Sequence, residues 1–364
     1  MAMDHDFPRD VMAEILLRLP PSSRRRARLV CRFWRDVVNE RTTELQSRPK
    51  LLLWRAGKAI AYVSSDLSSP SPTGSCTELW RCSEPGRPLN GLQLVGTCNG
   101  LLCLCDNTKG VVGTIILLNP ATGEELSVRP LPGSFIGTHR SIWWGYAYSF
   151  AYHPITGQYK LVHVPCSYDR ICEFNAVHVL TLGQAKWREV PVEPGDSITM
   201  LAAGIVSVDG TTYWVRVTGG GAAKIMSFDL NDERVVSTTI SLPVRRDHYR
   251  LSEVHGRLGF VAWPNVWVLE KGQRWSHRYN FKQDIPRRHF VYGKYVLTYE
   301  RLLYYKHMPF LGRTPMSNEA VRVGHWDKGT LIANMALCED SSFRSYEAFT
   351  YVETTEPLGV YETN

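Results

Sequence analysis

No apolar run in the 364-residue chain approaches the length of a membrane span. The N-terminus, MAMDHDF, is acidic and has no signal-peptide h-region, so no export is expected. Nine cysteines are an odd number scattered through a long chain, which favours reduced thiols over a disulfide framework. None of them forms a C-x-x-C pair, and Cys98, Cys103 and Cys105 have no histidines at zinc-ligand distance, so no metal is expected. Gly219-Gly220-Gly221 lacks the Lys-Ser or Lys-Thr of a phosphate loop and reads as a hairpin loop. There is no G-x-S-x-G elbow. Carboxylates are spread too thinly to name an acid–base pair. His153 and His163 have apolar and aromatic neighbours and read as structural. These absences exclude the familiar catalytic sets, so the expectation is a non-enzyme without cofactor, cytoplasmic and/or nuclear.

What is present begins with a mild net charge of +7, much of it in the first fifty residues. The apolar fraction of 44% is ordinary for a globular chain, and the length allows two or three domains. The arginine run Arg24, Arg25, Arg26, Arg28 carries no aromatic stacking pattern. It reads as a solvated helix face, with an import signal as the alternative; nucleic acid is not expected as a partner.

Around that run lie two amphipathic helical patterns. Val11, Ile15 and Leu19 recur at four-residue steps, with Met12 and Leu16 beside them. Pro8 suits the helix start, and Asp10 and Glu14 sit near the positive end of the macrodipole. Pro20 and Pro21 stop the pattern, and Ser22 or Ser23 can cap a second, basic helix. Val30, Trp34, Val37 and Val38 form a third apolar stripe. The unit is too short to bury a core alone and has more apolar side chains than it can hide. A docking device fits such a segment better than an enzyme does.

Phe7-Pro8-x-Asp10, Glu14-Ile15-Leu16, Leu19-Pro20 and Val30-Cys31-Arg32-x-Trp34 resemble, in order and spacing, the F-box of cullin-type ubiquitin ligases. The resemblance implies binding to a Skp-family adaptor through Phe7, Pro8, Ile15, Leu16, Leu19, Pro20, Val30, Cys31 and Trp34. The pattern departs at Arg24 and Arg25, where family members usually carry leucine, and at Ala27, where a larger apolar residue is common.

Beyond Glu44 the chain turns to short β runs broken by Gly, Asn, Asp and Pro. Examples are Leu101–Cys105, Thr114–Leu118, Tyr159–Val164, Ala176–Leu180, Thr211–Val217, Lys224–Phe228, Leu258–Ala262 and Val266–Leu269. Cys103 and Cys105 would share one face of a strand. Asn99-Gly100 and Asp209-Gly210 are hairpin signals, because both central residues need positive φ. A weak repeat of strand, turn and short strand recurs at intervals of roughly 60, 48 and 41 residues, near a blade period. A sandwich would struggle to use so long a β region in one core, whereas a ring of blades leaves only short edges. The expected fold class is a small all-α module followed by an all-β domain, a six-bladed β-propeller with seven blades as the alternative. Two of those blades would be built from Phe290–Lys306, Arg322–Leu337, Tyr346–Val352 and the Lys50–Val63 strands.

Gly96-Thr97-Cys98-Asn99-Gly100-Leu101-Leu102-Cys103, Leu118-Asn119-Pro120-Ala121-Thr122-Gly123 and Tyr152-His153-Pro154-Ile155-Thr156-Gly157-Gln158-Tyr159-Lys160 resemble the F-box-associated, kelch-like propeller domain of plant F-box proteins. Met226-Ser227-Phe228-Asp229-Leu230-Asn231-Asp232-Glu233 continues the match. The domains expected are an F-box over 1–45, connecting strands and a Ser/Pro-rich loop over 46–91, and the propeller over 92–356. The resemblance implies a substrate receptor of an SCF-type ligase, joined to a cullin–RING complex through the adaptor and holding a protein substrate on its propeller. The alternative is a propeller binding small molecules or glycans, with the helices as a cap. Trp143-Trp144 and the 139–148 segment are the place where a ligand cage would be sought.

Overall fold

The computed structural model describes residues 8–19, 23–24, 27, 30–41, 50–64, 76–83, 91–109, 113–132, 144–153, 156–165, 176–192, 197–199, 203–218, 223–243, 249–262, 265–271, 273–280, 291–292, 295–298, 303–306, 321–324, 329–333 and 346–362. Helices come first: α1 over Arg9–Leu17 and α2 over Arg32–Arg41, with Ser23, Arg24 and Ala27 between them also helical. Pro8 caps α1 from an extended conformation, and its carbonyl accepts the Met12 N–H at 3.1 Å. A residue with fixed φ and no N–H of its own costs nothing there. Met12, Ala13 and Leu16 of α1 pack with Ala27, Val37 and Val38 in one small core, and Leu19 and Trp34 half-cover it.

The stripe expected to run from Val30 to Val38 is shorter than its spacing suggests. Val30 precedes α2, its N–H bonds the Ala27 carbonyl, and its side chain is exposed. Only Trp34, Val37 and Val38 of that set turn inward.

Five antiparallel blades follow. The first takes strands Lys50–Arg55, Ile60–Ser64 and Cys76–Arg81 from the N-terminal side and Tyr346–Tyr351 from the far end of the chain. Lys50 to Arg55 pair residue by residue with Tyr351 to Tyr346, so the ring is zipped shut by backbone hydrogen bonds. The second blade holds Leu92–Cys98, Leu101–Asp106, Thr114–Asn119 and Glu124–Ser127. The third holds Tyr148–His153, Gln158–His163, Ala176–Thr181 and Arg188–Pro191. The fourth is built on Thr211–Thr218, Ala223–Asp229 and Arg234–Ser241, with Ser197–Thr199 and Val206–Val208 both pairing the long first of these. The fifth holds Arg250–Val254, Arg257–Ala262, Asn265–Glu270 and Arg274–Asn280.

Five blades replace the six or seven expected. The Phe290–Lys306 and Arg322–Leu337 stretches do not add separate blades: their strands fall in one sheet, where Leu303–Lys306 runs parallel to Val321–Gly324. A blade is an antiparallel meander on tight turns, whereas a parallel neighbour needs a longer crossover, so this sheet departs from blade form. Blade count was beyond the reach of turn spacing because hairpin signals mark strand pairs and not the ring.

The blades meet along their inner strands, Tyr346–Tyr351 against Leu92–Cys98, then Tyr148–His153, Val206–Val208 and Arg250–Val254 in turn. Strand alternation sorts side chains into the layers between blades. Leu101, Cys103 and Cys105 join the core between second and third blades, while Leu102 and Leu104 face the first. The expected common face of the two cysteines is therefore observed. Trp54, Trp214, Phe228 and Phe260 are fully buried in these layers, each worth about 1.5–3 kcal/mol as removed apolar surface.

The repeated turns have a physical basis. Asn99 and Gly100, and Asp209 and Gly210, both show the positive φ that the sequence signals demand. At Gly100 (φ +84°) a Cβ would also lie 2.3 Å from the Val352 carbonyl, so glycine is required twice over. A second turn type recurs at Asn119, His153 and Asp229. In each, the side chain accepts a backbone N–H two or three residues on: Ala121 at 3.0 Å, Thr156 at 3.0 Å and Asn231 at 2.8 Å. Gly123, Gly157 and Glu233, four residues on, have positive φ.

Candidate docking surface

The two helices present a second apolar face that the fold leaves uncovered. Val11 and Ile15 stand one turn apart on α1, each 44% exposed, directly beside the buried Met12–Leu16 row. Val30 is 64% exposed, and Phe33 and Leu17 are also exposed. Helical spacing announced both rows of α1, but only packing decides which row turns inward. Met12 and Leu16 do so because α2 lies against them.

The residues assigned to adaptor binding divide accordingly. Pro8, Ile15, Val30 and Cys31 are exposed, and Leu19 and Trp34 are half-buried. Leu16 has no accessible surface and serves the core of the pair. Phe7 and Pro20 lie outside the described residues.

Arg24 stands where the pattern usually has leucine. Its side chain is buried, and Nη1 donates to the Leu17 carbonyl at 3.2 Å, at the C-terminal end of α1. A cation there meets the negative pole of the helix and satisfies a carbonyl that has no intrahelical partner. The expected solvated face thus fails at Arg24; Arg25, Arg26 and Arg28 lie outside the described residues.

In the propeller several buried polar groups have internal partners. Lys160 Nζ, almost fully buried on the third blade, donates to the Leu230 carbonyl at 2.6 Å and to Glu233 Oε1 at 2.5 Å on the fourth. Arg188 joins the same carboxylate and also reaches Thr181 Oγ1 at 3.1 Å. This latch between blades carried no readable sequence signal beyond the Gln158-Tyr159-Lys160 phrase. His163 and His178, cross-strand neighbours, bring their Nδ1 atoms to 3.2 Å. Burial pushes both imidazoles down, His163 to about 3, where the neighbouring His178 adds to the effect, and His178 to about 4. The pair is neutral at neutral pH. His153 is structural as expected, through the turn it caps.

The C-terminal segment straps the second blade to the third. Asn119 Nδ2 donates to the Glu356 carbonyl at 2.8 Å, and the Leu358 N–H bonds Glu124 at 2.8 Å. Tyr361 sets its ring edge-on to Tyr159, with centroids 5.8 Å apart. A cleft of about 350 Å³ lies beside it, lined by residues including Leu126, Arg129, Leu182, Gln184, Tyr361 and Glu362. No group of three metal-ligating side chains occurs among the described residues, and no described helix is long and apolar enough to cross a membrane. Trp143 and Gly219 to Gly221 lie outside the described residues, as does the Trp144 side chain, while Tyr148 is packed in the core against Trp187.

Short helices with an exposed apolar row, followed by antiparallel blades, define a helical module ahead of a β-propeller. Residues 5–43 match the F-box domain, and residues 56–300 match the F-box associated beta propeller domain. The chain belongs to this F-box-associated propeller family. It is similar to F-box protein At3g07870 of Arabidopsis thaliana, 24% identical over 325 residues that span 77% of this chain and 74% of that one. F-box protein At2g40925 of the same plant is 25% identical over 324 residues, 80% of this chain and 76% of its own.

Proposed function

We propose that this protein is a non-catalytic substrate receptor of an SCF-type cullin–RING ubiquitin ligase, working in the cytoplasm and/or nucleus. Residues 1–45 dock a Skp-family adaptor and the propeller holds a protein substrate. One observation carries the reading. Val11, Ile15, Val30 and Phe33 remain exposed although the two helices already have a packed core of Met12, Leu16, Val37 and Val38. Exposed apolar rows on an otherwise packed pair are what a partner would cover. Ile15, Val30, Pro8 and Cys31 contact the adaptor in this reading, with Leu19 and Trp34 at the margin, Phe7 and Pro20 flanking, and Leu16 holding Ile15 in place. The receptor raises the local concentration of substrate lysines near a charged conjugating enzyme and supplies no chemistry itself.

The test is capture of a purified Skp-family adaptor by the full-length protein. Ile15→Asp with Val30→Asp is expected to weaken capture at least about tenfold, since each buries an unpaired charge in the contact, while the thermal unfolding of the propeller stays put. A wild-type protein that captures no Skp-family adaptor ends the proposal.

A further inference from the structure

The fifth blade differs from its neighbours in charge. Between Arg250 and Asn280 the blade carries five lysines and arginines against the two carboxylates Glu253 and Glu270. Within the blade this excess gathers at one outer corner. Glu270 ends the third strand, and Arg274 opens the outermost strand directly opposite it. Arg257 Nη1 binds Glu270 Oε2, and Arg278 Nη2 binds Oε1 at 2.9 Å. Ser276 Oγ donates to the same Oε1 at 2.7 Å. Lys271 and Arg274 are exposed and have no ion-pair partner among the described residues. Two guanidinium groups thus share one carboxylate, with Lys271 next to it in sequence and Arg274 opposite it in register.

This exceeds what a sheet edge needs to stay unpaired. The outermost strand of the second blade is acidic, with Glu124 and Glu125, and that of the third balances Arg188 against Glu189. A bulge in the fifth blade, where Val266 pairs Tyr279 but Trp267 pairs His277, already breaks the edge at Arg278. The clustered cations are therefore surplus to edge protection. Glu270 instead fixes two guanidinium planes side by side while leaving most of their N–H donors open. Such a pair meets incoming carboxylates with its orientation entropy already spent.

We infer that this corner, Arg257, Lys271, Arg274 and Arg278, docks an acidic segment of a partner protein. Reading that partner as the ubiquitination substrate rests on the ligase role proposed above; the binding itself does not. The full-length protein is titrated into a fluorescently labelled oligoglutamate peptide and read by anisotropy, with a Gly-Ser peptide as blank. Gln at all four corner positions is expected to weaken binding at least tenfold. A control with Gln at Lys58, Arg129, Lys186 and Lys224, exposed cations elsewhere on the propeller, removes the same charge and is expected to change it less than about twofold. Equal weakening by the two quadruple variants, or no binding by the wild type, overturns the inference. Adaptor capture, measured on the same preparations, reports separately on the ligase role.

Discussion

The helical segment and the propeller both break the rule that apolar groups go inside and polar groups outside, and they break it in opposite directions. The helices leave Val11, Ile15, Val30 and Phe33 in solvent. The propeller buries Lys160, His163, His178 and Asn119. The difference lies in where the compensation is found. These propeller groups meet partners in the same chain, such as Glu233 for Lys160 and the Glu356 carbonyl for Asn119. The apolar row on the helices meets none among the described residues.

The sharpest way to break this contrast is to remove a compensating group. Glu233→Gln strands the Lys160 ammonium in the layer between two blades, next to a carbonyl but without its counter-charge. Breaking a buried pair from one side costs about 3–5 kcal/mol, so urea unfolding should show a loss of that order. Lys160→Met should cost less, because Glu233 keeps Arg188. Equal, small losses would show the latch to be ornamental.

The histidine pair gives a smaller effect that follows pH. In the unfolded chain both imidazoles titrate near 6.5, while in the fold they titrate at about 3 and about 4. As pH falls below 6.5 the unfolded state takes up protons first. The stabilisation present above that pH is then lost, until the folded pKa values are passed. The slope is at most about 1.4 kcal/mol per pH unit for each group. Replacing His163 and His178 by Gln should flatten the decline of Tm between pH 6.5 and 4.

Smallest is the helical end of the comparison. Arg24→Ala removes one charge-assisted bond to the Leu17 carbonyl and should cost about 1 kcal/mol. Adaptor capture should fall only as far as α1 frays, which circular dichroism of the full chain can follow.

Much of this was legible beforehand, for identifiable reasons. Helix α1, the Asn-Gly and Asp-Gly turns and the shared face of Cys103 and Cys105 follow from local periodicity and φ, which a sequence displays directly. The inward choice of Met12 over Val11 was not legible, since both rows have the same spacing and α2 decides between them. Val30 was misplaced because spacing alone cannot see that the helix begins two residues later, at Arg32. The Lys160–Glu233 latch joins residues far apart in sequence, and blade number depends on ring closure, which no local signal encodes.

Ring closure also imposes an order in time. The strand Lys50–Arg55 finds its inner neighbour, Tyr346–Tyr351, only when nearly the whole chain has left the ribosome. Loop-closure entropy and sequence-distant pairing make that zipper a late and slow step. The helical segment just ahead of it, held by contacts between near neighbours in sequence, is under no such delay. A nascent chain can thus present the exposed Val11 and Ile15 row of α1 while the ring behind it is still open.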